Sequence, residues 1–335
     1  MWCCQKIFTA KLFISIKSIN HYIKLDKISV CQGICLVTCQ VVVIWLAKVY
    51  AIQHLVELSI EQCANAIKSW MTTNKLKLND SKTEIIVFNH HGKSLDLQNI
   101  CIGDSSIECT TVVRNLGVYF DSSMSMTSHI NKVSQAAHFH LRNIGKIRHL
   151  IDDNTCKLLV NSLITSRLDY CNSLLHGVNK TTIARLQKIQ NKAARIVTRC
   201  NKYEHITPVL KSLHWLPIEQ RIVYKILLLT YKSLHDEVPA HLSELLPIHV
   251  SCRQLRSSQS VTLKQVKSKS KFSERAFSVC APALWNTLSV DTRSCTTINT
   301  FKSSLKTELF RRAFGPWSYL CMYFIDYNIR ILIFC

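Results

Sequence analysis

The sequence predicts an α+β protein, a short β/α segment followed by a mainly helical region, and three observations carry that reading. The segments that read as strands, at 85–88, 100–107 and 112–120, all come before residue 121. From residue 126 onward apolar residues recur instead at intervals of three and four, the spacing of one helix face. Only 7 Gly and 6 Pro punctuate the 335 residues, few for a chain built on tight turns. A chain of this length has room for two domains, each with its own core.

Residues 1–50 differ in character from the rest of the chain. They carry six lysines and a single acid, Asp26, around an apolar stretch at 30–47. That stretch just reaches the length of a membrane span, but Gln32, Gly33, Thr38 and Gln40 weaken it. Two readings stay open for it: an anchor whose flanking lysines would keep the N-terminus in the cytosol, or a leader foreign to the rest of the chain.

In the segment 51–120, Leu55, Leu58, Cys63, Ala66, Ile67 and Trp70 predict a helix over 55–72, with Glu57 and Glu61 in the early turns where the helix dipole favours acids. Leu76 and Leu78, then 85–88, read as short strands around the turn Asn79-Asp80-Ser81-Lys82. Residues 100–107 and 112–120 read as two further strands. The second contains Leu116-Gly117-Val118, where glycine permits a bend or the close approach of another backbone.

Segment 121–240 is helical. Ile130, Val133, Ala137, Leu141, Ile144 and Ile147 make one face of a helix over 126–150. Its histidines suggest a metal only superficially, because His138 and His140 are two apart and point to different sides. Asp152 and Asp153 precede the next apolar helix, with Leu158, Leu159, Leu163 and Ile164 as its core, and read as its cap. The clearest helix comes next: Ile183, Leu186, Ile189, Ala193 and Ile196 form an apolar stripe, and Arg185, Lys188, Lys192, Arg195 and Arg199 form a cationic one. Five like charges on one face repel unless an anion lies alongside, and a phosphate backbone is the usual partner; a solvated basic face is the alternative. A further helix runs from Pro217, suited to a first turn, to about residue 234 ahead of Pro239. Trp215, Tyr224 and Tyr231 stack on bases in one reading and fill a helical core in the other.

Segment 241–315 opens with a Ser-, Lys- and Arg-rich run, 251–275, read as a phosphate-facing loop through Arg253, Arg256, Lys264, Lys267, Lys269 and Lys271. Residues 276–286 and 301–310 then form a small apolar cluster with an amphipathic helix, and 316–335 is an apolar tail broken by Asp326, Asn328 and Arg330. The charge is lopsided: 42 Lys and Arg against 21 Asp and Glu give +21, of which residues 121–315 hold 29 cations and 12 acids. Such a surplus points to a polyanion, whether RNA, DNA or an anionic membrane surface. Sixteen cysteines without a CxxC pair and without a clean secretory signal read as reduced thiols of an intracellular protein. Cys31, Cys35 and Cys39 share a helical face, but no histidine near them completes a four-ligand metal site.

SRLDYCNSLL, LQKIQNKAARIV, HITPVLKSLHWLPIEQRIVYKILLLTYKSL, APALWN and TFKSSLKTELF resemble the region after the catalytic core in reverse transcriptases of non-LTR (LINE-type) retrotransposons of the Jockey and chicken-repeat group. WMTTNKLKLNDSKTEIIVF and NLGVYFD extend the resemblance upstream, so it covers about residues 55–314 in the family's order. It implies a palm edge at 51–120, a thumb-like domain at 121–240 and a basic C-terminal extension at 241–315 that hold template and primer. Lys82 would lie near the phosphates of an incoming nucleotide, and Leu116-Gly117 would form the turn that presses on the primer end; an ordinary turn lysine is the plainer reading of Lys82. Template-directed polymerisation needs aspartates that hold two Mg²⁺ ions. This sequence has no Asp between Asp26 and Asp80, and reads VVVIWLAKVY where the family has its Tyr-Ala-Asp-Asp hairpin. The resemblance therefore implies a truncated, catalytically inactive remnant of the nucleus or cytoplasm that needs no cofactor, since Mg²⁺ would serve only an intact polymerase, and that binds RNA or DNA through phosphate contacts. The alternatives are a basic protein anchored in a membrane by residues 30–47, and a translated fragment without function.

Overall fold

The computed structural model describes residues 11–15, 43–44, 53–76, 83–88, 100–102, 105–249, 261–268 and 270–315. The apolar stretch 30–47 lies outside them apart from Val43 and Ile44, as do Lys82 and the turn 79–82, the tail 316–335, and Arg253, Arg256 and Lys269 of the basic loop. The chain divides into two compact units, residues 1–129 and 130–335. It is α+β, as the periodicity predicts, with the strands and helix Gln53–Thr73 in the first unit and most of the helix in the second.

In the first unit, strand β1 (Lys11–Ser15) lies between β2 (Val43–Ile44) and β3 (Glu84–Phe88), parallel to both. Helix α1 spans Gln53–Thr73 and ends at a turn in which Asn74 donates from Nδ2 to the Trp70 carbonyl and Lys75 takes a left-handed φ of 59°. Its described buried positions are Ala64 and Met71; Ala66 and Trp70, expected on the apolar stripe, are exposed. The expected single strands at 100–107 and 112–120 are each a hairpin: β4 (Ile100–Ile102) with β5 (Ser105–Ile107), and β6 (Val112–Asn115) with β7 (Val118–Asp121). Leu116 and Gly117 form the second turn with φ of 46° and 83°, the two positive values that a type I′ turn requires. Only the second position carries the residue that favours that geometry, so the turn escapes a search for Asn-Gly or Asp-Gly. Ile86 of β3 and Val113 of β6 are buried together against Phe88 and Phe120. Burial of each aliphatic chain contributes about 1.5–3 kcal/mol.

The second unit is a helical assembly. Helix α2 (Thr127–Ile147) buries Ile130, Ala137, Leu141 and Ile144, and passes into a 3₁₀ turn at Arg148–Leu150. Asp152 then caps α3 (Asp153–Val160): its carboxylate accepts from the Asn154 and Thr155 amides, and hydrogen bonding to the Thr155 side chain first, then to the Thr155 and Asn154 amides, holds it below the ordinary carboxylate range. The helix continues through a π-helical turn, Asn161–Thr165, into α4 (Ser166–Asp169). Its buried residues are Cys156, Val160, Ile164 and Leu168, at uniform spacing of four, whereas Leu158, expected in the core, is 69% exposed. In a regular α-helix such a run drifts about 40° per step. The underwound turn removes the drift and keeps the four side chains in line, which is why α-periodicity misassigns Leu158.

Helix α5 (Lys180–Thr198), α6 (Ile206–Ser212), α7 (Ile218–Leu234), α8 (Ala240–Ser243), α9 (Phe277–Asn286), α10 (Val290–Arg293) and α11 (Ile298–Phe314) complete the unit. Tyr231 of α7 is buried between Phe301, stacked at 4.3 Å, and His235 at 3.9 Å, and its hydroxyl donates to the Cys295 carbonyl. It belongs to the core and offers no face to a base. Trp285 is equally buried and donates to the Val261 carbonyl, while the amide of Asn286 pairs both ways with the Leu263 backbone. The APALWN motif thus fastens the middle of the basic run, at Val261 and Leu263.

Candidate nucleic-acid interface

Helix α5 begins at Asn179, whose side chain accepts from the Thr181 amide, and closes at Arg199 in the left-handed conformation. Leu186, Ile189, Gln190, Ala193, Ala194 and Val197 are buried, so the opposite face is turned outward. Its five cations divide into two sets. Arg185, Lys188 and Lys192 are all exposed, and no hydrogen bond or ion pair among the described residues engages them. Arg195 instead donates to the carbonyls of Asn201 and Glu204 and ties down the loop after the helix. Arg199 reaches the Ile151 carbonyl at 3.4 Å and Asp153 at 3.9 Å.

Cations of α2 lie beside this face. His138 is within electrostatic range of Lys192 on α5 and Arg142 on α2; burial first, then these two charges, depress its pKa below the ordinary imidazole range. His138, Arg142 and Lys146 are all exposed. The two helices are joined at one end by Arg148, a residue the periodicity does not single out. Its buried guanidinium donates to the carbonyls of Ile196 at 2.7 Å, Val197 at 2.8 Å and Ile151 at 2.9 Å, and pairs with Asp153. One planar fork thus serves two carbonyls in the last turn of α5 and one in the turn after α2, the last of them shared with Arg199.

The polar residues of the other motifs are also structural. Gln190 donates to the Leu216 carbonyl at 2.8 Å, and Gln187 accepts from the Ile218 amide while donating to Gln190 and Asn191. Arg221 donates to the Leu216 carbonyl and pairs with Asp169 at 2.6 Å. LDY, LQKIQN and LPIEQR are therefore three sides of one network across α4, α5 and α7. Arg275 extends it to the C-terminal segment by donating to the His176 and Leu174 carbonyls.

In the basic loop, Lys264, Lys267 and Lys271 are exposed. An antiparallel bridge between Ile248 and Leu263, with the Lys264 amide on the Pro247 carbonyl, pins the middle of the run at Leu263, so these three lysines lie beyond the bridge and not within one open loop. Leu116, at the hairpin tip of the first unit, is 56% exposed. Trp215 and Tyr224 are half-buried, and burial pushes the Tyr224 hydroxyl up to about 12. Among the described residues no three His, Cys, Asp or Glu side chains converge as a metal site, and no helix is long and apolar enough to cross a membrane. Compared with protein families, curated proteins and solved structures, the chain matches none.

Proposed function

We propose that the chain binds RNA or DNA, with little regard to sequence, by laying backbone phosphates along the face shared by α2 and α5. The observation that carries this reading is the row Arg185, Lys188 and Lys192: without a hydrogen bond or ion pair among the described residues, unbroken by an acid, and linked through His138 to Arg142. Three cations held on a rigid helix meet phosphates without first leaving other partners, and each contact releases a condensed counterion. Lys264, Lys267 and Lys271 add a second basic segment. The resemblance of the motifs to non-LTR reverse transcriptases supports the same partner. The absence of an Asp between Asp26 and Asp80 supports binding without polymerase chemistry or a bound cofactor. A place of action in the nucleus or cytoplasm goes with that partner.

The test is the salt dependence of affinity for a single-stranded 20-mer. With Arg185, Lys188 and Lys192 all changed to Gln, the slope of log K against log salt is expected to flatten by about 2. Changing Arg195 and Arg199 alone is expected to move it less, since both already hold backbone carbonyls. An unchanged slope in the triple variant refutes the interface.

His138 gives an independent readout. Phosphates that neutralise Lys192 and Arg142 remove part of what depresses its pKa, so the complex holds more of the proton than the free protein does. The imidazole resonances are expected to titrate at higher pH with oligonucleotide bound, and affinity to rise as pH falls through the histidine range. A His138 titration indifferent to oligonucleotide counts against contact there.

A further inference from the structure

Helix α11 packs along α7, and the turn between α6 and α7 lies against its C-terminal half. The His214 ring is 6.0 Å from that of Phe310, and the Lys211 ammonium sits 5.7 Å above the Phe314 ring. One turn before Phe310, on the same face of α11, stands Lys306. It is half-buried, and no carboxylate or carbonyl among the described residues takes a bond from its ammonium. Its charged neighbours are of its own sign: Arg221 and His214 both lie within electrostatic range. Asp169 is the acid bonded to Arg221, and it accepts from Nη1 while the Leu216 carbonyl takes Nε, so the guanidinium keeps donors to spare. Among the described residues one positive charge in this group is left without a counter-charge. Withdrawing an ammonium from water in that state is costly, and the cost falls when an anion comes with it.

We infer that Lys306, Arg221 and His214 form a binding site for a phosphate group between α7, α11 and the turn at 213–217. A tetrahedral oxyanion suits the set, because it presents several acceptors to donors arriving from three elements. The ammonium supplies a compact charge, the guanidinium a directed pair of N–H groups and the imidazole a further donor. His214 is presented by a left-handed residue of its own, φ 53°, a backbone state that a non-glycine residue adopts at a cost and that turns its side chain back toward α11. The electrostatics run the same way. Burial and then Arg221 depress the Lys306 pKa, burial and then Lys306 depress that of His214, and an anion between them reverses both. The site stands apart from the α5 row and does not rest on it.

The test is thermal unfolding of the full chain in sodium chloride, in inorganic phosphate at equal ionic strength, and with a short oligothymidylate. Ligand at about ten times its Kd raises Tm by roughly 3–5 °C for a unit of this size. Wild-type protein and the Lys306→Arg variant are expected to show that rise, and Lys306→Met and His214→Gln to lose most of it. Lys306→Met is expected to be at least as stable as wild type in chloride, which separates loss of a site from loss of the fold. A rise with inorganic phosphate identifies free phosphate as a sufficient ligand. A rise confined to the oligonucleotide assigns the site to the nucleic-acid backbone. The triple α5 variant is expected to keep the phosphate response, so failure of that interface leaves this result readable. Equal shifts in wild type and Lys306→Met, or none in either, overturn the site.

Discussion

Arg148→Ala is expected to lower the stability of the helical unit by about 3 kcal/mol, more than the loss of any other single side chain of that unit's polar network. The substitution strands the carbonyls of Ile196 and Val197 and leaves that of Ile151 only the 3.4 Å bond from Arg199; each belongs to a buried or half-buried residue. An unsatisfied acceptor costs about 1–3 kcal/mol, discounted here because water reaches part of the gap. The ion pair itself adds little, since the Asp153 side chain is 66% exposed and returns to solvent. Arg148→Lys is expected to recover little of the loss, because a compact ammonium cannot fork to three divergent carbonyls. Urea unfolding measures it: the midpoint should fall while the slope with denaturant stays constant. A loss below about 1 kcal/mol would show that the helix ends are held by their apolar contacts instead.

Gly177→Ala is expected to cost about 2–3 kcal/mol, and the same substitution at Gly145 to stabilise by about 0.5–1 kcal/mol. Gly177 has φ of +69°, and a Cβ there would stand 2.7 Å from Cγ of Arg275. That side chain cannot swing away freely, because its head donates to the His176 and Leu174 carbonyls. Relief therefore breaks the contact between the C-terminal segment and the 3₁₀ turn Asn172–Leu175. Gly145 is an exposed interior position of α2 with nothing within 4 Å of the added carbon, so alanine there only narrows the unfolded ensemble. Calorimetric Tm values of the two variants should move in opposite directions. A shift of the same sign in both would show that the Arg275 contact is not what fixes Gly177.

The range of each interaction decides whether the sequence discloses it. Leu186, Ile189 and Ala193 lie where helical periodicity puts them, because the core face of α5 is set by spacing within the helix itself. The cap at Asp152 is legible for the same reason: cap and amides are two and three residues apart. Arg148, Gln187, Gln190 and Arg221 are not, since each has a partner 26 to 52 residues away that a lone polar residue in a helical stripe does not announce. The cationic row is visible as five residues, but the division into three outward charges and two that hold carbonyls depends on where the next loop and the 151–153 turn come to lie. The second hairpin is hidden by its own turn, with leucine at a position where the backbone asks for a residue tolerant of positive φ.

The π-helical turn at Asn161–Thr165 has a consequence for how this segment tolerates changes in length. Cys156, Val160, Ile164 and Leu168 are spaced four, four and four, and the wide turn absorbs one residue more than an α-helix needs. Remove Ser162 and the same four residues fall at four, three and four, the interval at which a regular α-helix keeps a single buried stripe. The extra residue behaves as a silent insertion, accommodated in the backbone without changing which side chains face inward. Register and length are uncoupled at this turn, and a chain shorter by one residue there would bury the same core.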